Sequence, residues 1–439
     1  MKRYIIAIIF IAGLAGAPLA AETYTLQECI DIAMKSNHDI RRANEELKQA
    51  WGGKIEAISG FLPKVGLMSY MARKSPSDIP DSVKNMIGKD FTAMLSDETC
   101  DVQLSLQQNL FTWGKVYYGN RQAQMAYLMT KQKHTKTKND LVFNIEKAYY
   151  GVLLTRKMTE IAGEMVGVTQ AQLKVTESFY NQGKVSSYDV SKVKVQLTNV
   201  KTGLLKAKNA SQLAVEGLFN LMGKEKTQDV ELTTVMSYEP VEPDYNKALK
   251  EAIENKPEFE LLQLQEKMSK IALCLARSSN KPNIIFSGYF DWIRGVDGFD
   301  QIFDTFRIDD WYRTWNARIV LNFPVFNGLQ TTGKVTQSQA QLNQMKISLE
   351  QLTEGTKVEI RQIIFNIKQS EEMILAQKEN TSAARENLNI AQQRYKTGLI
   401  SDVEVREAQL ALGQAESNYH QALYDYNVAI AALNRAVGK

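Results

Sequence analysis

The sequence predicts a mainly α-helical protein with a small membrane β element. The unit, long coiled-coil helices plus a two-stranded β-hairpin, is duplicated in tandem, and its four strands call for several chains to share one β-barrel. Three observations predict it: residue pairs recur at a fixed offset, two long stretches lack proline, and two pairs of short segments alternate apolar and polar residues. The 439 residues are 44% hydrophobic and 23% charged, which excludes disordered and collagen-like chains. The net charge is +4 and falls to +2 once Lys2 and Arg3 are removed, so no basic excess points to nucleic acid. Three His and three Cys are too few for most metal sites or a disulfide framework.

The N-terminus sets the compartment. Lys2 and Arg3 precede an apolar run from Tyr4 to Gly16, with small residues at Ala17, Ala20 and Ala21. This is the pattern of a secretory signal peptide, assigned to residues 1–21. The run is shorter than the ~20 residues of a spanning helix. The protein is therefore expected to be exported.

The duplication is read from spacing. Ala33, Asp39 and Pro63 are each 219 residues before Ala252, Glu258 and Pro282. Leu106, Phe111, Gln122, Ile145, Tyr180, Gly183, Ser186 and Gly223 are each 215 residues before Leu321, Phe326, Gln337, Ile360, Tyr395, Gly398, Ser401 and Gly438. An offset held this long marks an internal repeat. The first repeat spans 22–223 and the second 245–439, joined by a linker at 224–244 that holds Pro240 and Pro243.

Each repeat opens with a helical pattern, at 25–58 and 245–279, that stops near Pro63 or Pro282. A β-hairpin follows, at 64–110 and 283–326. In the second, Ile284, Phe286, Gly288, Phe290 and Trp292 share one face, and Ile285, Ser287, Tyr289 and Asp291 the other. Trp315, Ala317, Ile319, Leu321 and Phe323 likewise oppose Asn316, Arg318, Val320 and Asn322. The first hairpin is less regular, with Val102, Leu104 and Leu106 opposite Asp101, Gln103, Ser105 and Gln107, and Val65 and Leu67 starting its other strand. Strands of this length with one apolar face match transmembrane β-strands. Trp292, Trp311, Tyr312 and Trp315 gather at one end, as interfacial aromatics do. A soluble hairpin with one buried face would share the alternation.

No proline occurs from Asp81 to Glu239 or from Val325 to Lys439. Helical patterns run over about 112–181 and 329–396, each long enough for a helix of roughly 100 Å. The returning helices carry a seam. Val193, Leu197, Val200, Leu204, Ala207, Ser211, Ala214 and Leu218 alternate steps of four and three. Ala408, Leu412, Ala415, Tyr419, Ala422, Tyr426, Ala429 and Leu433 do the same. Such a repeat makes a coiled-coil seam.

Outgoing and returning helices meet at tip turns, 181–186 and 396–401. Gly183 and Gly398 are the expected helix stops, and Ser186 and Ser401 the expected N-caps. Tyr180, Lys184 and Val185 in the first tip, and Tyr395, Leu399 and Ile400 in the second, complete a candidate docking surface for another helical hairpin. Simple capping chemistry would also explain the turns. Four strands per chain cannot close, and an open edge in lipid leaves backbone groups unpaired. Two chains would give a filled eight-stranded barrel, and three a 12-stranded barrel with room for a passage.

At this point the chain resembles the TolC family of outer-membrane efflux and secretion ducts of Gram-negative bacteria. The resemblance spans nearly all of the sequence beyond the leader. Its specific pieces are Tyr24–Asn37 (YTLQECIDIAMKSN), Phe61-Leu62-Pro63, Asn109-Leu110-Phe111, Pro324-Val325-Phe326-Asn327-Gly328 and the two Tyr-x-x-Gly tips. It implies a homotrimer with its barrel in outer-membrane lipid and its α-helical tunnel in the periplasm. It also implies a periplasmic adaptor (membrane fusion) protein and an inner-membrane pump, of RND type, with no cofactor and no catalysis. The family narrows the tunnel at the tip with acidic residues. Glu404 and Glu407 match those positions, Asp402 lies beside them, and a threefold axis would make rings of carboxylates able to hold cations. The family's closed tip also joins a Tyr and a basic residue of the second repeat to an Asp of the first. Tyr395 and Asp189 match, while the basic position holds Ile400, leaving Arg394, Lys396 or Lys184 as substitutes.

Enzyme readings fail on particular residues. Gly328-Leu-Gln-Thr-Thr-Gly333-Lys334 is most of a P-loop, but Val335 stands where Ser or Thr must bind Mg²⁺. His38, His134 and His420 are far apart, and no HExxH or CxxC occurs. Two other functions stay open: the duct of a type I protein secretion system, and a non-pore periplasmic coiled-coil scaffold.

Overall fold

The computed structural model describes residues 22–73, 82, 98–225, 230–295 and 311–439. The expected leader at 1–21 and the hairpin segments 74–81, 83–97 and 296–310 lie outside the described residues. In chain order the elements are β1 (Glu22–Tyr24), α1 (Leu26–Ser36), α2 (His38–Ile58), β2 (Lys64–Arg73), β3 (Glu98–Phe111), α3 (Lys115–Asn181) and α4 (Ser187–Met222). Then come β4 (Val230–Leu232), α5 (Tyr245–Asn255), α6 (Pro257–Ser278), β5 (Asn283–Gly295), β6 (Tyr312–Asn322), α7 (Gln330–Lys396) and α8 (Asp402–Ala436). The fold is mainly helical, with α3 and α7 at 67 residues each.

The opening helix of each half differs from the expected single helix. It breaks in two, at Asn37 and at Lys256, positions 219 residues apart. In the second half the cause is Pro257 at the first position of α6, which drives Lys256 into an extended conformation (φ −67°, ψ 123°). In the first half Asn37 acts without a proline. Its Oδ1 accepts from the Asp39 and Ile40 amides at 2.7 and 3.2 Å, capping α2, while its Nδ2 donates to the Leu221 carbonyl at 2.8 Å. α1 itself starts with a capping box. Thr25 Oγ1 accepts from the Glu28 amide, and Glu28 accepts from the Thr25 amide.

The chain forms two compact units. The first holds the residues up to Arg41, Thr137–Asn255 and Thr356–Lys439; the second holds Arg42–Lys136 and Lys256–Gly355. In the first unit, Cys29, Ala33, Ile145, Tyr149, Val152, Leu218 and Met222 form a buried core. The expected linker is not bare connection. Its β4 pairs in parallel with β1, Tyr24 beside Leu232. The fully buried Tyr149 hydroxyl locks this junction, donating to the Tyr24 carbonyl at 3.1 Å and accepting from the Thr234 amide at 2.9 Å. α4 ends at Gly223 in the left-handed region (φ 67°), where a Cβ would lie 2.5 Å from the Ser36 carbonyl oxygen. Only glycine fits both demands.

The coiled-coil seams are present. Val193, Leu197 and Leu218 are buried, and the other five seam residues of α4 half-buried. On α8, Ala415, Ala422, Tyr426 and Ala429 are buried. α8 also packs on α3, where the buried Gln409 amide donates to the Met165 carbonyl and to Thr169 Oγ1 at 2.9 and 3.1 Å.

The second unit is built on one antiparallel sheet in the order β2-β3-β5-β6. β3 and β5 join the two hairpins, with Leu104 opposite Phe290. One irregularity, between Asn109 and Phe111, bends β3 at its helix end. β2 and β6 are edges.

Candidate functional site

Two regions carry the functional geometry, one in each unit. The first is the sheet. Its register aligns the alternation of all four strands: Leu67 faces Leu104, Leu104 faces Phe290, and Phe290 faces Trp315. The apolar residues thus form one continuous face. That face is bare, with Leu67 71%, Trp315 72% and Ile319 68% exposed. In water such a patch is costly; in lipid it is the expected outer surface. The opposite face is polar. Gln103 Nε2 donates to Asp291 Oδ1 at 2.7 Å, and the Arg318 guanidinium donates to the Tyr289 hydroxyl at 3.2 Å. Trp292 and Tyr312 lie at the loop end with Trp315, and Trp292 packs against Phe290 with ring centroids 4.5 Å apart and planes tilted by 54°. A second apolar group stands at the helix end, where Phe61, Leu62, Phe111, Trp113, Phe323, Val325 and Phe326 are all exposed. Phe323 continues the expected apolar strand face; the other six were given no role, although five of them sit in the short motifs Phe-Leu-Pro, Asn-Leu-Phe and Pro-Val-Phe. The signal was a cluster of large apolar side chains at a strand-to-helix junction.

The second region is the pair of tip turns in the first unit. Gly183 and Gly398 adopt φ of 73° and 75°. The Lys184 and Leu399 amides close the preceding helices on the Phe179 and Arg394 carbonyls at 2.9 and 3.0 Å. Ser186 and Ser401 cap α4 and α8 through capping boxes with Asp189 and Glu404. Tyr180, Lys184 and Leu399 are exposed, while Val185 and Ile400 are half-buried. Ile400 packs with Leu388, Tyr395 and Val405, which explains an apolar residue at that position. Lys184 Nζ lies 5.5 Å over the Phe179 ring.

A cleft of about 390 Å³ separates the two turns, with Thr176, Phe179, Asp189, Tyr395, Ile400 and Asp402 among its walls. Asp189 and Tyr395 share this cleft but are not joined by a hydrogen bond. Asp189 Oδ2 accepts from the Ser186 amide and hydroxyl at 2.9 and 2.7 Å. Those two bonds hold its carboxyl below the usual range. The Tyr395 hydroxyl meets Thr176 Oγ1 at 2.9 Å, and burial pushes its pKa up. No ion pair joins Arg394, Lys396 or Lys184 to Asp189 among the described residues. Lys192 of α4 instead pairs with Asp402, at 3.5 Å. Glu404 and Glu407 are exposed. Thr176 and Lys192 were missed because neither belongs to the tip turns; helical spacing alone, one turn from each, would have found them.

Comparison with known proteins gives a consistent picture. The family described as "Outer membrane efflux protein" matches residues 29–224 and 248–439. The chain is 21% identical to "Outer membrane protein TolC" of Vibrio cholerae over 97% of its own length and 93% of that protein's. It is 20% identical to "Alkaline protease secretion protein AprF" of Pseudomonas aeruginosa, covering 93% of the chain and 83% of the relative. Among solved structures, the outer membrane protein VceC of Vibrio cholerae superposes with a TM-score of 0.76 at 17% identity, covering 94% and 96% of the two chains. The Campylobacter jejuni CmeC outer membrane channel gives 0.80 at 16%, covering 94% and 85%.

Proposed function

The chain belongs to the outer membrane efflux protein family, and from that premise we propose that it is the outer-membrane duct of a tripartite efflux system. It performs no catalysis; it conducts small molecules handed on by a periplasmic adaptor and an inner-membrane pump of RND type. The observation that carries this reading is the four-stranded sheet, with one bare apolar face and two open edges. In hydrocarbon each unpaired edge group costs several kcal/mol. Edge strands β2 and β6 of neighbouring copies remove that cost by pairing, and three copies supply twelve strands around a passage. A signal peptide at 1–21 brings the chain to the periplasm, and each half, 22–223 and 245–439, is one copy of a duplicated unit.

In this reading the tips at Tyr180–Ser186 and Tyr395–Ser401 dock the adaptor. Asp189, Tyr395, Asp402, Glu404 and Glu407 narrow the periplasmic entrance, where threefold repetition sets carboxylates of neighbouring copies close together and attracts cations. The likeness to a protease secretion protein supports a second reading, the same duct serving polypeptide export. The scaffold without a pore is disfavoured by the bare apolar face, which has no use in water.

The test is the native mass of the detergent-extracted protein together with its conductance in planar bilayers. A mass near three chains and discrete conducting steps are expected. A water-soluble monomer or dimer overturns the duct.

A further inference from the structure

The apolar face of the sheet is not uniform along its length. Among the described strand residues the charged positions in register with that face are Arg73 of β2, Glu98 of β3, Arg294 of β5 and Arg313 of β6, with Arg73 paired to Glu98. All four stand at the loop end, and Arg294 and Arg313 lie on the neighbouring strands β5 and β6. Arg313 lies directly opposite Trp292, and Trp315 opposite Phe290, so arginine and tryptophan alternate across the two strands. Arg294 continues the row, opposite Cys100 of β3. Arg313 is exposed and Arg294 half-buried. From Arg313 the face runs eight residues to Leu321, about 27 Å along the strand. Tilt brings this close to the ~25 Å apolar band of an outer-membrane barrel. The two arginines therefore mark one boundary of the band. The opposite boundary, at Ile284, Leu321 and Phe323, carries no charge on the same face.

A charge placed among hydrocarbon-facing residues is tolerated only at headgroup depth. A guanidinium there offers a planar fork that fits phosphate oxygens with two parallel hydrogen bonds, and the neighbouring indoles hold the boundary between chain and headgroup. We infer that Arg294 and Arg313, flanked by Trp292 and Trp315, form a binding site for the phosphate of an anionic lipid in the outer leaflet. This rests on the membrane-duct reading, which turns the loop end outward. The asymmetry of the two boundaries matches a membrane whose leaflets differ in headgroup charge. The site would fix the depth and rotation of β5 and β6 by a polar contact as well as by apolar burial.

The experiment uses the full chain reconstituted with phosphatidylcholine containing a small fraction of phosphatidic acid. Native mass spectrometry then counts the lipids retained on release. The wild type is expected to keep phosphatidic acid over phosphatidylcholine. R294Q/R313Q should lose that preference by roughly tenfold, the worth of one charge-assisted bond, and R294K/R313K should retain part of it. Equal retention by wild type and R294Q/R313Q overturns the inference, as does displacement of the lipid by inorganic phosphate alone. A protein that inserts and conducts without headgroup preference overturns this site and leaves the duct standing. A protein that stays in the aqueous fraction overturns both.

Discussion

The Tyr395 hydroxyl of α7 donates to Thr176 Oγ1 of α3 at 2.9 Å, because the threonine's own proton is committed to the Gln172 carbonyl at 3.0 Å. Both residues are buried, so the bond ties the two tip hairpins in a dry setting. The two deletions are then unequal. Tyr395→Phe leaves Thr176 satisfied and should cost about 0.5–1.5 kcal/mol. Thr176→Val strands a buried phenol and should cost about 1–3 kcal/mol. Thermal unfolding of the two variants should rank them in that order, and single-channel recording should show the larger rise in mean conductance for Thr176→Val.

Asp189 couples the tip to acid. Its carboxyl is held low by the Ser186 hydroxyl and amide, so its contribution is fully present above the unfolded value, about 3.9. It is lost as pH falls through the lower folded value. Hydrogen exchange over residues 187–191 should therefore quicken below about pH 4 in the wild type. Asp189→Asn should remove that acid step; a step that persists in the variant would assign it to another group.

Neutralising Asp402, Glu404 and Glu407 together should raise conductance in planar bilayers or weaken block by divalent cations. Glu404 also caps α8 through Ser401, so Glu404→Gln, which keeps the acceptor, is the variant to combine. An unchanged single-channel record would take these acids out of the entrance.

Gly223→Ala tests the junction under the first core. The left-handed φ and the 2.5 Å approach to the Ser36 carbonyl both oppose a Cβ, and the backbone strain alone is worth about 1–3 kcal/mol. The melting temperature should drop, whereas Gly203→Ala, in the open interior of α4, should stabilise slightly.

The sheet faces should tolerate charge unequally. Ile319→Arg places a guanidinium in the middle of the apolar band and should cost about 2–4 kcal/mol, read as lost membrane assembly. Asn316→Arg, three residues away on the polar face, should assemble normally. Equal yields would mean that the apolar face does not meet lipid.

What the sequence determined by itself was whatever depends on periodicity. The strand alternation around Phe290 and Trp315, the seams through Leu197 and Tyr426, and the turns at Gly183 and Gly398 follow from local steric rules, and each is visible within a few residues of chain. The break at Asn37 was not, because an asparagine inside a helical pattern gives no sign until its side chain finds the Leu221 carbonyl, 184 residues on. The tertiary structure alone decided which partners the tip residues take. Tyr395 and Asp189 sit in one cleft, yet each is claimed by a nearer group, Thr176 and Ser186, and Lys192 rather than a tip residue meets Asp402. Hydrogen bonds act over about 3 Å, and which atoms come that close is fixed by how α3, α4, α7 and α8 pack, a matter on which helical spacing is silent.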